Sequence, residues 1–242
     1  KVHMQEDKVY CPNCIKRPKC FACGHPFAKG VQHSDGRFFC TPCRALTIVD
    51  KKKAAKLYQN AQKSLTAMVG KSAHSIPPLK LANLVEMKKN HPAKSAAGMS
   101  LRGFYSLVKR KTETRKGNRL IDIKIENVSE TIFVIDGLRK EDFVTTAVHE
   151  LTHDWLEEFY PGIKVAPLWV EEGCCQYLAY SYCLKKNNTK MAERINKSTD
   201  KVYGDGFRFY LKKFGKNNWP QVEKWLRQQR YHVKPPANAV RP

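Results

Sequence analysis

Apolar and polar positions recur along the chain with two periods. From Lys51 to Val69 the sequence KKKAAKLYQNAQKSLTAMV carries Ala, Leu and Met at helical spacing without Gly or Pro, which predicts a linking helix stopped by Gly70. Ser75 to Pro78 breaks the pattern, a second helix is predicted over 79–89, and Asn90-His91-Pro92 ends it. The small residues of 94–103 predict a loop. Period two then takes over: Leu120 to Ile125 (LIDIKI) alternates, Thr131 to Ile135 (TIFVI) is a more buried run, and 127–130 reads as the turn between two strands. The basic stretch KRKTETRKGNR, from Lys109 to Arg119, predicts a solvated loop or hairpin. Helical spacing returns in 141–160 (EDFVTTAVHELTHDWLEEFY), where Glu141 and Asp142 suit a helix N-terminus and Pro161 closes the run. Further helices are predicted over 168–184, 203–214 and 219–228. The fold class is therefore α+β, mainly helical with a small sheet.

The chain has 242 residues with 42% apolar content, enough for a folded core in one or two domains. No run approaches the ~20 apolar residues of a membrane span. No apolar signal segment opens the sequence, so a cytoplasmic location is expected. Lys and Arg number 44 against 22 Asp and Glu, a formal charge of +22. That excess makes phosphate or acidic protein surfaces plausible neighbours. It is mostly scattered lysine, and a nucleic-acid-binding zinc protein is not the favoured reading.

The cysteines change the picture. Three C-x-x-C pairs, Cys11/Cys14, Cys20/Cys23 and Cys40/Cys43, crowd the N-terminal region. Two residues between thiols let a tight turn aim both sulfurs at one ion, and two such turns complete a four-thiolate zinc site. Cys20, Cys23, Cys40 and Cys43 have that spacing. Cys11 and Cys14 need two more ligands, with His3, His25 and His33 as local candidates. His74, His91 and His232 read as ordinary surface residues.

The second centre lies in the 141–160 helix. His149 and His153 stand four apart on one side, and His149-Glu150-Leu151-Thr152-His153 is the H-E-x-x-H pattern of zinc metallopeptidases. Glu150 is then the expected base for zinc-bound water. Glu171 and Glu172, in PLWVEEGCCQYLAYSYCL, compete for a third, carboxylate position. Gln176 and Asp154 are candidates to orient ligands, and Tyr203 and Arg208 are candidates to meet an oxyanion. Cys174, Cys175 and Cys183 read as buried thiols packing as small hydrophobes.

These motifs carry resemblances. The head looks like a LIM domain: Cys20, Cys23, Cys40 and Cys43 match its second zinc module, and Cys11 and Cys14 the last ligands of its first. The five residues between Cys14 and Cys20 depart from the two usual there. The spacing from His153 to Glu172-Gly173 is similar to that of zinc aminopeptidases, which implies Glu172 as the third ligand. Thermolysin-like enzymes carry an acid where Gln176 stands. Taken together, HELTHDWL, WVEEGCCQYLAY and VYGDGFR resemble the LIM-associated, gluzincin-type peptidases known from plant proteins that restrict organ growth.

The resemblance implies a LIM-like head (1–50), a helical linker region (51–93) and a zinc metallopeptidase domain (94–242). It implies one catalytic zinc on His149, His153 and Glu172, one or two structural zinc ions, and a protein or peptide substrate cleaved by an endopeptidase. It also implies a possible protein partner at the head. The acidic or alanine-rich ubiquitin-binding segments of that family do not stand in this sequence, so ubiquitin dependence is not carried over. The rival reading is a LIM-like adaptor with an inactive body that only holds zinc.

Overall fold

The computed structural model describes residues 3–5, 8–91, 101–117 and 119–229. His232 and positions 94–100 of the expected loop lie outside them. The N-terminal head holds the hairpin β1 (His3–Gln5) and β2 (Lys8–Tyr10), then β3 (Gly30–Gln32) and β4 (Phe38–Cys40), also antiparallel. α1 (Thr41–Leu46) follows, with Pro42 in its first turn, and leads into β5 (Thr47–Ile48). Cys20, Ala22, Phe39 and Cys43 form a small core of the head's own.

The body follows as α2 (Lys51–Val69), β6 (Leu79–Ala82), α3 (Leu84–Asn90), β7 (Gly103–Lys116), β8 (Arg119–Ile135) and β9 (Leu138–Arg139). Then come α4 (Lys140–Phe159), a 3-10 turn at Pro161–Val165, α5 (Leu168–Lys185), α6 (Thr189–Asn196), α7 (Tyr203–Phe214) and α8 (Trp219–Gln228). A Cys-rich head followed by a mostly helical domain with small mixed sheets is the expected α+β architecture. α2 buries Ala54, Tyr58, Ala61, Leu65 and Val69, one stripe at helical spacing. Asp50 caps its first turn by accepting from the Lys53 amide at 2.7 Å, and Gly70 ends it with φ 73°.

Two expectations from local pattern are corrected. Residues 79–89 are not one helix: Leu79–Ala82 joins the sheet parallel to Ile132–Ile135, and the helix starts only at the Asn83–Glu86 capping box. Residues 127–130 are not a turn: β8 runs unbroken from Arg119 to Ile135, paired antiparallel with β7 along its length. The chain reverses at Gly117, where φ is +60°, so the basic stretch is mostly strand. Cross-strand pairing overrides the local polarity in both places.

Head and body meet along one joint. β5 pairs with β9 through Thr47↔Arg139 and Ile48↔Leu138. Beside it, the buried Arg37 guanidinium donates to the Asp136 carbonyl at 2.6 Å, pairs with the Asp136 carboxylate, and holds Asp35 at 2.6 Å. Asp35 also accepts from the Leu84 amide at 3.0 Å. Gly137 has φ +77°, and a Cβ there would lie 2.6 Å from Phe39, so the joint needs glycine on both counts. Burial alone would raise the Asp35 carboxyl, but Arg37 and the Leu84 amide hold it down at about 2. This contribution is complete above the ordinary carboxylate range and is lost as pH falls from about 4 toward 2.

A second close approach sits between α5 and α7. A Cβ on Gly173 would lie 2.5 Å from the Gly206 backbone, and one on Gly206 would lie 2.4 Å from the Trp169 carbonyl oxygen. In an open helix Gly→Ala gains ~1 kcal/mol from propensity. Here the sign reverses, because backbone cannot yield as a flexible side chain can.

Two outcomes are expected from denaturant unfolding of the zinc-loaded protein. Arg37→Met leaves the buried Asp35 and the half-buried Asp136 without their cation and destabilises by about 2–4 kcal/mol; an unchanged midpoint would show that the joint carries no stability. Gly173→Ala destabilises by about 1–3 kcal/mol through overpacking, and a gain in stability would refute the close helix contact.

Candidate metal centres

The head centre assembles from two turns brought together by the β3–β4 hairpin. The sulfurs of Cys20, Cys23, Cys40 and Cys43 all lie within 4.8 Å of one another. The Cys40 amide donates to the Cys20 sulfur at 3.4 Å. Burial, the neighbouring Cys40 and Cys23, and charge on Cys20 and Cys23 push the Cys43 thiol far up. Four crowded thiolates repel one another, and a divalent soft-tolerant cation is what relieves that repulsion. The donor set fits zinc.

Cys11 and Cys14 stand apart. Their turn is formed, with the Cys14 amide donating to the Cys11 sulfur at 3.2 Å, but they join no metal-capable group among the described residues. Of the suggested partners, His25 Nδ1 lies 2.8 Å from the Tyr10 hydroxyl and His33 packs on the Phe39 ring at 4.3 Å. The side chain of His3 lies outside the described residues.

The body centre lies between α4 and α5. α4 is buried almost all round, so His149, Glu150, His153, Asp154 and Glu157 are all enclosed. α5 answers with Glu171, Glu172 and Cys175, equally enclosed. Each imidazole is oriented through Nδ1: His149 Nδ1 meets Gln176 Oε1 at 2.9 Å, and His153 Nδ1 meets Glu171 Oε1 at 2.7 Å. Glu171 is fixed in turn by Lys164. Both Nε2 atoms therefore face inward, where Glu172 Oε2 lies 3.1 Å from His149 and 3.3 Å from His153. Burial opposes ionisation of Glu172, yet the two imidazoles, His153 first, drive its carboxyl well below the usual range.

The metal-capable donor atoms that converge within 4.8 Å of one another are those of His149, His153 and Cys175. This overturns the expectation of a catalytic zinc on two histidines and a carboxylate with an open fourth position. A thiol occupies the converged set, and the endopeptidase reading, together with its labels of hydrolase, metalloprotease and gluzincin, is withdrawn on that ground. Cys175 is also not the inert small hydrophobe expected from sequence. Its position three residues after Glu172 puts it on the same side of the helix, but only the imidazoles of the facing helix show that the thiol joins a donor set. Burial pushes its thiol up to about 12, against the pull of His153, so a cation is needed to hold it as thiolate. Cys174 and Cys183 are buried, and Cys183 Sγ contacts the Thr145 hydroxyl at 3.4 Å.

The remaining candidates divide. The Tyr203 ring lies 5.8 Å from that of His149. Arg208 is turned away, paired with Asp205 and donating to the Ser198 carbonyl at 2.5 Å. Glu150 is buried against Gly103, where a Cβ would lie 2.8 Å from its Oε1. Burial raises its carboxyl, the two imidazoles oppose this, and Glu172 reinforces it. Asp154 faces away from the histidines toward Gln62, Leu65 and Trp155, with its carboxyl raised to about 8 by burial and then by Glu130, Glu158 and Glu157.

Gln176 tests the orienting role. Gln176→Ala frees His149 Nδ1 and weakens zinc affinity by roughly 10–100-fold, measured by competition with a chromophoric chelator. Unchanged affinity would show that the amide does not hold the ring.

No protein-family model matches the chain. No solved structure matches it. It is 27% identical over 201 residues to the LIM domain-containing protein HDR3 of Oryza sativa subsp. japonica, covering 74% of this chain and 40% of that protein. It is 26% identical over 195 residues to Protein DA1-related 1 of Arabidopsis thaliana, covering 72% of this chain and 35% of that protein. The chain thus spans two fifths or less of the length of these curated relatives. Among the described residues no helix is long and apolar enough to cross a membrane. The two donor clusters and these distant plant relatives together support a LIM-associated, zinc-binding kinship in general.

Proposed function

We propose that this protein is a non-catalytic, zinc-stabilised interaction module, in which a LIM-like head and a helical body are each cross-linked by a structural zinc ion. The observation that carries the reading is the thiol of Cys175 within the converged set of His149 and His153. Closed sites made wholly of protein ligands are structural, whereas catalytic zinc keeps a position for water. Glu172, whose Oε2 meets both imidazoles, is the fourth ligand in this reading. When bound, zinc supplies a covalent-like cross-link between α4 and α5 and neutralises the charges buried there.

The reading uses the division into a head of 1–50, a helical region of 51–93 and a body of 94–242. LIM-like heads bind protein or place a neighbouring domain, and a protein partner rather than a cleaved substrate follows from that. Thiolate ligands fit a reducing compartment such as the cytoplasm. Cys11 and Cys14 form a preset half-site that no other described residue completes.

Metal analysis and turnover test this together. The loaded protein is expected to hold two tightly bound zinc ions per chain. Cys40→Ser removes one, and Cys175→Ala weakens the other by at least the roughly 10–100-fold seen when even an orienting partner is lost. Chelation is expected to unfold the chain, since structural zinc contributes on the order of 10 kcal/mol. A zinc-loaded sample is expected to leave a diverse peptide mixture intact. Cleavage that disappears in Glu150→Gln, or full zinc affinity in Cys175→Ala, would overturn the proposal.

A further inference from the structure

The β7–β8 hairpin is longer than its packing requires. The sheet order is β6-β8-β7, and β6 covers only Ile132–Ile135 of β8. From Val108 to Lys116 every residue of β7 is exposed, so this length of β7 lies outside the core, although Ile123 opposite it on β8 is buried. At ~3.4 Å per residue the exposed stretch reaches about 30 Å. Strands in globular proteins are usually ~5–6 residues long. The outer edge of β7 has no strand partner among the described residues, which leaves its backbone N–H and C=O groups for another chain.

The arm is also strongly charged. Between Lys109 and Arg119 six basic residues accompany one acid, Glu113. Lys111 and Arg115 share that acid, and Lys109 reaches back to Glu157 at 2.5 Å. Arg110, Lys116 and Arg119 make no ion pair among the described residues. Alternation along β7 puts Arg110 and Lys116 on one face and Lys111 and Arg115 on the other. A strand laid against this edge would meet cations on both sides. Exposed apolar groups accompany them, with Val108 at 50% and Ile121 at 57% exposure.

We propose that this arm is a docking edge for an extended acidic segment of a partner protein, which adds to β7 as a further strand. A free edge offers alternating main-chain donors and acceptors, and only another polypeptide returns them in register. The arm carries no aromatic ring between Lys109 and Glu130 on which bases could stack, which argues against single-stranded nucleic acid. A second copy is disfavoured, because edge-to-edge pairing would bring two basic arms together. Basic residues also protect edges from aggregation, but an inward charge or two serves that purpose. Six cations in eleven residues, flanked by exposed Val108 and Ile121, make a surface rather than a guard. The proposal deepens the interaction-module reading, resting on it only in that the partner is a protein.

The test uses the full zinc-loaded chain and a fluorescent peptide of about ten residues alternating Glu and Thr, matched to the exposed reach of β7. Anisotropy is expected to show binding that weakens at high salt. The triple variant Arg110→Glu, Lys116→Glu, Arg119→Glu, checked for unchanged zinc content, is expected to bind at least about tenfold more weakly. A peptide with proline at alternate positions, which removes the donors a new strand needs, is expected not to bind. Equal affinity in the triple variant, equal binding of the proline peptide, or binding only to an oligonucleotide or anionic vesicles would each overturn the proposal. Glu150-dependent cleavage would sink the non-catalytic reading while leaving these peptide results intact, so the two failures are separable.

Discussion

A seam of buried charge between α4 and α5 is the constraint from which much of the body follows. His149, Glu150, His153, Glu171 and Glu172 are enclosed there within an otherwise apolar cluster, while Asp154, turned toward α2, and Glu157, paired with Lys109 of β7, are buried on other sides of α4. Such groups are tolerated only when paired or bound to a cation. The surrounding elements supply those partners: Gln176 from α5 itself, Lys164 from the 3-10 turn and Lys109 from β7. Gly103 lets β7 lie directly on Glu150, and the Gly173–Gly206 contact lets α7 bring Tyr203 beside His149. A cation held by the imidazoles, Glu172 and the Cys175 thiol would complete the neutralisation that side chains alone leave unfinished.

The head depends on the same logic at smaller scale. Its core of Cys20, Ala22, Phe39 and Cys43 is too small to hold a fold by apolar burial alone, so thiolate ligation replaces a larger core. Arg37 then ties this unit to the body through Asp35 and Asp136, with its guanidinium also lying over the Phe21 ring at 4.7 Å. Asp142 plays a similar part at the start of α4, gathering Arg102 and Arg194 around one buried carboxylate.

Sequence pattern revealed the helices better than the sheet. The periods of 203–214 and 219–228 match α7 and α8, and the 141–160 and 168–184 runs match α4 and α5 to within a residue or so. α7 and α8 bury one stripe each, which local periodicity records, and α4 and α5 are buried nearly all round, which their long Gly- and Pro-poor apolar runs record. β6 and the outer hairpin escaped because their conformation is set by pairing with residues far along the chain. The four head ligands were legible from spacing, since two short turns carry them. Cys175 was not, because a buried thiol beside tyrosines and alanines looks like core until the opposite helix places two imidazoles against it. Arg37 gave no signal at all: its partner Asp136 is remote in sequence, and among so many basic residues one more cation is unremarked.

The β5–β9 ladder has a consequence for how the chain reaches this state. Thr47 and Arg139 are joined across the segment from α2 to β8, and closing so long a loop is entropically slow. The head's ligands lie within a short stretch and can assemble around their ion locally. Synthesis from the N-terminus therefore completes the head's four-cysteine set well before β9 exists, with Arg37 and the β5 edge still open. Until β8 and β9 arrive, that open edge is the part of the nascent chain most exposed to a wrong neighbour.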